Sequence, residues 1–221
     1  MTPQVTVVGV WNNDKGYYKD EWFDEAVNGI EGQTLQEFLW ETVFFGESMS
    51  DEQVKATYDG LYDAHHRPDL NYTEARCAAM DLVTTPWACV MDFDDTYEPT
   101  LIEKKLAYAK EHPDAVMISS WFRFMDAEGK LLPQVTDGKR ISERIREQPN
   151  IPPMAHPGIF IRMDAYRKSG GYNPKVFRGE DWDLWPRIAE HGDWAVIPEF
   201  LWTYRRHDQQ MVKRPYTGGK S

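Results

Sequence analysis

The run Val5-Thr6-Val7-Val8-Gly9-Val10 is almost wholly apolar, and Trp87-Ala88-Cys89-Val90-Met91 repeats that texture after Pro86. Short uncharged runs of this kind predict buried strands. Between them the period changes. Trp22, Ala26 and Ile30, with Phe23 and Val27, recur at helical spacing and predict a helix ending near Gly29 or Gly32. Residues 38–45 predict a second strand. Ser50 and Gln53 have capping-box spacing ahead of Val54, Tyr58 and Leu61. Ala75, Ala78, Ala79 and Leu82 mark another helix. Thr100 and Glu103 open one that carries Ile102, Leu106 and Ala109, and residues 115–119 read as the next strand. Alternating strands and helices predict an α/β sandwich on a largely parallel sheet.

The second half is patterned differently. Residues 120–132 read as a β-hairpin turning at Asp126-Ala127-Glu128-Gly129, and the polar stretch 139–153 as a lid-like connection. His156-Pro157-Gly158-Ile159-Phe160-Ile161-Arg162 leads into a strand, followed by a short helix ending at Gly170-Gly171. No composition shift separates the halves. One domain is expected over 1–214, in two differently patterned halves, 1–119 and 120–214, with a flexible tail at 215–221.

Composition narrows the function classes. With 221 residues, 41% of them hydrophobic, the chain can build a sizeable core. The net charge of −11 argues against general affinity for nucleic acid or anionic membrane, leaving Arg205-Arg206 as a local basic patch. Cys77 and Cys89 lie in apolar contexts and read as buried free thiols, which fits a reducing compartment. Neither a signal peptide nor a membrane span is legible, so the expected location is cytoplasmic, with peripheral membrane association left open.

The sharpest chemical signal is Asp92-Phe93-Asp94-Asp95, directly after the predicted strand 87–91. Carboxylates there are costly unless something positive neutralises them, and that end of a strand is where α/β sheets bind ligands. In extended backbone Asp92 and Asp94 point to one side, and paired hard oxygens suit Mg²⁺ or Mn²⁺ bridged to phosphate. A solvated acidic turn is the plain alternative. A second cluster, Gly179-Glu180-Asp181-Trp182-Asp183, suits a loop entering a helix, where its carboxylates either cap the helix or include a general base. His65-His66 read as surface residues in a polar connection.

In order and spacing, these segments resemble the inverting GT-A glycosyltransferases of the family-two type over nearly the whole chain. Val5 to Asn12 is similar to the first nucleotide-binding strand. Asn71 and Ala75-Arg76 resemble the segment ahead of the metal strand. Asp92-Phe93-Asp94-Asp95 resembles the metal motif. Gly170-Gly171 followed by Glu180-Asp181 is similar to the catalytic segment, and Tyr204-Arg205-Arg206-His207 to the closing strand. The resemblance implies a Rossmann-like α/β/α sandwich with a mixed, mainly parallel sheet, and sugar transfer from a nucleotide-diphosphate sugar to an acceptor hydroxyl. It implies Mn²⁺ or Mg²⁺ at Asp92, Asp94 and His207, and Asp181 as general base. It implies donor contacts at Val10, Asn12, Glu47, Arg76, Asp92, Phe93 and Asp94, and acceptor contacts at Glu180 and Trp182.

One departure concerns the donor. The paired aspartates that the family places after the second strand are replaced by Phe44-Phe45, so either Glu47 takes over the base contact or the phenylalanines stack on the base. UDP-sugar is the default donor, with GDP- and dTDP-sugars open. The acceptor is a glycan, a lipid-linked sugar, a protein, a small molecule or, least expected, a nucleic-acid base. Two other readings stand beside this one: a haloacid-dehalogenase-type phosphatase using Asp92 as nucleophile, and a GT-A-like binding module without catalysis.

Overall fold

A computed structural model describes residues 2–12, 14, 16, 18–47, 49–58, 63–133 and 155–210. Eight strands form one mixed sheet: β1 (Val5–Trp11), β2 (Leu39–Phe45), β3 (Asp63–Arg67), β4 (Trp87–Met91), β5 (Thr96–Tyr97), β6 (Ala115–Met125), β7 (Phe160–Arg162) and β8 (Asp193–Arg205). Their order is β3-β2-β1-β4-β7-β6-β8-β5. β1, β2, β3 and β4 run parallel, as do β6 and β8, whereas β7 is antiparallel to both β4 and β6. The C-terminal ends of six strands therefore share one rim with the start of β7.

The helices are α1 (Asp20–Glu31), α2 (Asp51–Tyr58), α3 (Tyr72–Asp81), α4 (Leu101–Glu111), α5 (Met163–Lys168) and α6 (Glu180–Ala189). Alternation along β1 divides the core. Val5, Val7 and Trp11 pack with α1 and α4 residues such as Phe23, Ile30 and Ile102 on one face, and Val8 and Val10 with α3 and α6 residues such as Ala79 and Ile188 on the other. β1 is buried along its whole length, which explains its lack of a polar face.

Local signals placed most elements well. α1 stops at Gly32, and the Ser50–Gln53 capping box forms at the start of α2. Asn71 supplies a second capping box at α3. Both cysteines are free. Four expectations need correction. β2 starts at Leu39. β6 runs through to Met125, so the expected hairpin reduces to a tight turn with a single bridge, Met125 to Leu131. His65 and His66 lie in the edge strand β3, where His65 Nε2 meets Glu41 Oε2 at 2.7 Å. Arg205 is buried rather than part of a basic patch. The lid expected at 139–153 and the tail lie outside the described residues.

Candidate active site

The acidic turn follows β4 onto the rim. Phe93 turns inward, packing on Phe23 and Trp11 under Gly9, where a Cβ would collide with its ring. Burial of Phe93 drives its flanking aspartates outward. Tyr97 fixes the turn: its hydroxyl accepts from the Asp92 N–H and donates to the Asp92 carbonyl, both at 2.8 Å. Carboxylate oxygens of Asp92, Asp94 and Asp95 lie within 4.8 Å of one another, a hard-oxygen set that fits Mg²⁺ or Mn²⁺.

The three aspartates have different partners. Asp92 forms an ion pair with Arg76, whose side chain is 3% exposed. Arg76 also donates to the Tyr72 hydroxyl at 3.0 Å. Arg76 is thus held by internal partners, since a buried guanidinium needs a fixed counter-charge. Asp94 Oδ2 accepts from His207 Nε2 at 3.0 Å. The imidazole is enclosed by Trp22 and Tyr18, with ring centroids 4.7 and 5.7 Å away. Asp95 is 1% exposed, and its Oδ1 accepts the Arg205 N–H at 2.8 Å. Burial, with Asp94 and Asp92 nearby, raises its pKa well above the usual carboxylate range. Arg205 donates from Nε to the Asp94 carbonyl at 2.9 Å and pairs with Glu25.

α6 brings the second cluster to the same site. Gly179 enters it with φ +76°, a left-handed geometry that favours glycine. Glu180, expected to face an acceptor, is instead 6% exposed. Burial and the adjacent Asp181 push its pKa up to about 7, partly opposed by Arg76, with Asp92 adding to the rise. That shared field links α6 to the acidic turn. Asp181 is half-buried and Trp182 is 45% exposed. Trp185 is fully buried and belongs to the core. His156 is structural: Nε2 meets the Tyr172 hydroxyl at 2.6 Å, and burial and Arg76 hold its pKa down at about 4.

A shallow recess lies at the ends of β1 to β3, lined by Trp11, Asn12, Phe44, Phe45, Gly46, Met49 and His66. Asn12 Nδ2 donates to the Phe45 carbonyl at 2.8 Å, and the Glu47 N–H donates to Asp14 at 2.9 Å. Gly46, at φ +86°, lets these groups close in, since a Cβ would strike Asn12 and Asp14. Val10 packs in the core and does not line the recess, and Phe44, 3% exposed, presents little of its ring to it. Glu47 is exposed and outside the recess lining. Phe45 remains half-exposed.

Residues 50–170 match the family model for Glycosyl transferase family 2. The chain belongs to that family. An uncharacterized glycosyltransferase of Methanocaldococcus jannaschii is 25% identical over 213 residues, covering 92% of this chain and 71% of that protein. An uncharacterized protein of Mycobacterium tuberculosis is 24% identical over 211 residues, covering 91% of this chain and 60% of that one. The family-2 chain shares its fold with TarS 1-349 of S. aureus in complex with UDP-GlcNAc, at TM-score 0.72 and 14% identity over 97% of this chain and 62% of that one. The UDP complex of the same fragment gives a TM-score of 0.70 at 13% identity, covering 93% of this chain and 61% of that one. The α/β architecture is that of these GT-A-like neighbours.

Two parts of the site carried weak sequence signals. Arg205 stood inside a recognised segment but read as a surface charge. Glu25 sits on the polar side of α1, where nothing in the pattern marks it as a partner for a buried arginine.

Proposed function

We propose that this protein is a metal-dependent, inverting glycosyltransferase that moves a sugar from a nucleotide-diphosphate sugar to an acceptor hydroxyl. The observation that carries the reading is the meeting of the acidic turn with the Glu180-Asp181 helix start on one rim of a family-2 chain. TarS, which shares the fold, is known in complex with UDP and with UDP-GlcNAc, which favours a UDP-sugar as donor.

In this mechanism Asp94, with His207 beside it, would hold Mn²⁺ or Mg²⁺. The bound ion would neutralise charge on the departing diphosphate. Asn12 and the recess at Phe45 and His66 would hold the nucleoside, with Glu47 at its entrance. Asp181 takes the proton of the acceptor hydroxyl as that oxygen attacks the anomeric carbon from the far side. Such a base contributes about 10²–10⁴ in rate. The single displacement inverts the anomeric centre and needs no enzyme nucleophile. Trp182 offers an apolar face to an acceptor sugar.

The phosphatase reading does not survive family membership, and the ion pair with Arg76 leaves Asp92 poorly placed to act as a nucleophile. A module without catalysis is disfavoured by the accessible Asp181 beside an intact acidic turn. No helix among the described residues is long and apolar enough to cross a membrane.

The test is a thermal-shift screen of UDP, GDP, dTDP and CDP, each with and without Mn²⁺. Stabilisation by UDP that requires the metal is expected through linkage. Absence of a shift with every nucleotide would remove the donor assignment.

A further inference from the structure

We infer that the divalent cation is held by the carboxylates of Asp94 and Asp95, and that Asp92 is not among its ligands. The inference rests on the metal-dependent reading above and changes which residues carry the ion.

Four carboxylates and two arginines gather around the turn, and each arginine is already committed. Arg76 pairs with Asp92, and Arg205 pairs with Glu25. Arg205 reaches Asp94 only at its backbone carbonyl. Neither Asp94 nor Asp95 has an arginine or lysine in ion-pair contact among the described residues. Two carboxyl groups thus lack an arginine or lysine partner, and one divalent ion would offset the charge of both with Asp95 ionised.

Asp95 supplies the independent observation. Its Oδ1 accepts the Arg205 N–H, but its Oδ2 is sealed from solvent with no hydrogen-bond partner among the described residues. A carboxylate oxygen orphaned in this way is costly, and native proteins rarely leave one so. A carboxylate oxygen of Asp95 lies within 4.8 Å of one on Asp94. Ligand oxygens on Mg²⁺ at about 2.1 Å from the ion are at most about 4.2 Å apart, so forming the site needs a contraction of no more than about 0.6 Å. An ion on Asp92 would instead sit beside the Arg76 guanidinium, with like charges opposed.

Mn²⁺ binding to the full chain without nucleotide tests this, read by electron paramagnetic resonance of the free ion and by calorimetry. Asp95→Asn keeps an acceptor for the Arg205 N–H and should weaken Mn²⁺ binding at least tenfold. The double variant Arg76→Met/Asp92→Asn removes a paired charge as a unit and should stay within threefold of wild type. A tenfold loss in the double variant, or unchanged affinity in Asp95→Asn, overturns the assignment. Should Asp95→Asn fail to fold, the double variant decides by the same criterion. Wild-type protein that binds UDP but no Mn²⁺ overturns the assignment and leaves a metal-free transferase standing. Binding of neither overturns the functional reading as well.

Discussion

The Arg76 guanidinium and the Asp92 carboxylate form an ion pair that fastens α3 to the end of β4. Breaking it from one side leaves a charge without its partner. Arg76→Met is expected to cost about 3 kcal/mol, near the lower end for a broken buried pair because Asp92 is 25% exposed. Arg76→Met/Asp92→Asn should recover most of that loss. Urea unfolding of the three proteins checks both statements.

Asp181→Asn preserves shape and removes the proposed base. Transfer should fall by about 10²–10⁴, with UDP affinity within about twofold of wild type. Turnover near wild type would place the base elsewhere.

Two tryptophans on α6 should respond oppositely. Trp185 is fully buried, so Trp185→Ala should cost about 3–5 kcal/mol. Trp182 is exposed, so Trp182→Ala should change stability by less than about 0.5 kcal/mol. It should instead raise the acceptor KM while leaving donor affinity alone. Denaturation curves and steady-state kinetics separate the two effects.

Glu180 and His156 give the stability profile opposing slopes. The folded-state pKa of Glu180 is raised to about 7, so the folded protein holds a proton that the unfolded chain releases above about 4.5. Its contribution is full below that value and is lost as pH rises through 7. His156 is held down at about 4, so its contribution is full above about 6.5 and is lost as pH falls towards 4. Each contributes a slope of at most about 1.4 kcal/mol per pH unit. Glu180→Gln should therefore gain stability relative to wild type at pH 8 and unmask a rising profile between pH 4.5 and 6.5. Chemical denaturation across that range measures it.

Lys105 is a buried cation outside the acidic turn. Its ammonium donates to the Gly158 carbonyl, its charge lies 5.8 Å from the Phe160 ring, and burial lowers its pKa to about 8. Lys105→Met keeps the apolar stem and orphans that carbonyl. A loss of about 1–3 kcal/mol is expected, read as a lower denaturation midpoint.

What the chain reveals in one dimension is its short-range grammar. The runs 5–10 and 87–91, the Trp22-Ala26-Ile30 stripe and the Ser50–Gln53 box each encode their element through neighbours within a few residues, and the structure follows them. Asp92-Phe93-Asp94-Asp95 was legible for the same reason, since its position after a buried strand is a local fact. The errors concern contacts between distant segments. Arg76 meets Asp92 across 16 residues, and Arg205 meets Glu25 across 180. An arginine on a helix looks the same in sequence whether it awaits a phosphate or already holds a carboxylate. Lys105 and Glu180 were misread or overlooked because charge ordinarily signals exposure, and burial by tertiary packing leaves no periodic trace.

The reversed strand β7 gives the fold a modular property. Because β6 leaves the sheet at the rim and β7 returns from that same rim, the chain between them begins and ends beside the acidic turn. Both ends are tied down: Leu132 donates to the Phe124 carbonyl, Gly158 and Ile159 bond to Val90, and His156 meets Tyr172. A sequence exchanged between Pro133 and Ala155 would leave those ties and the proposed donor side in place. Specificity in such a chain would evolve by replacing one continuous cassette, which makes 134–154 the natural segment to transplant between relatives.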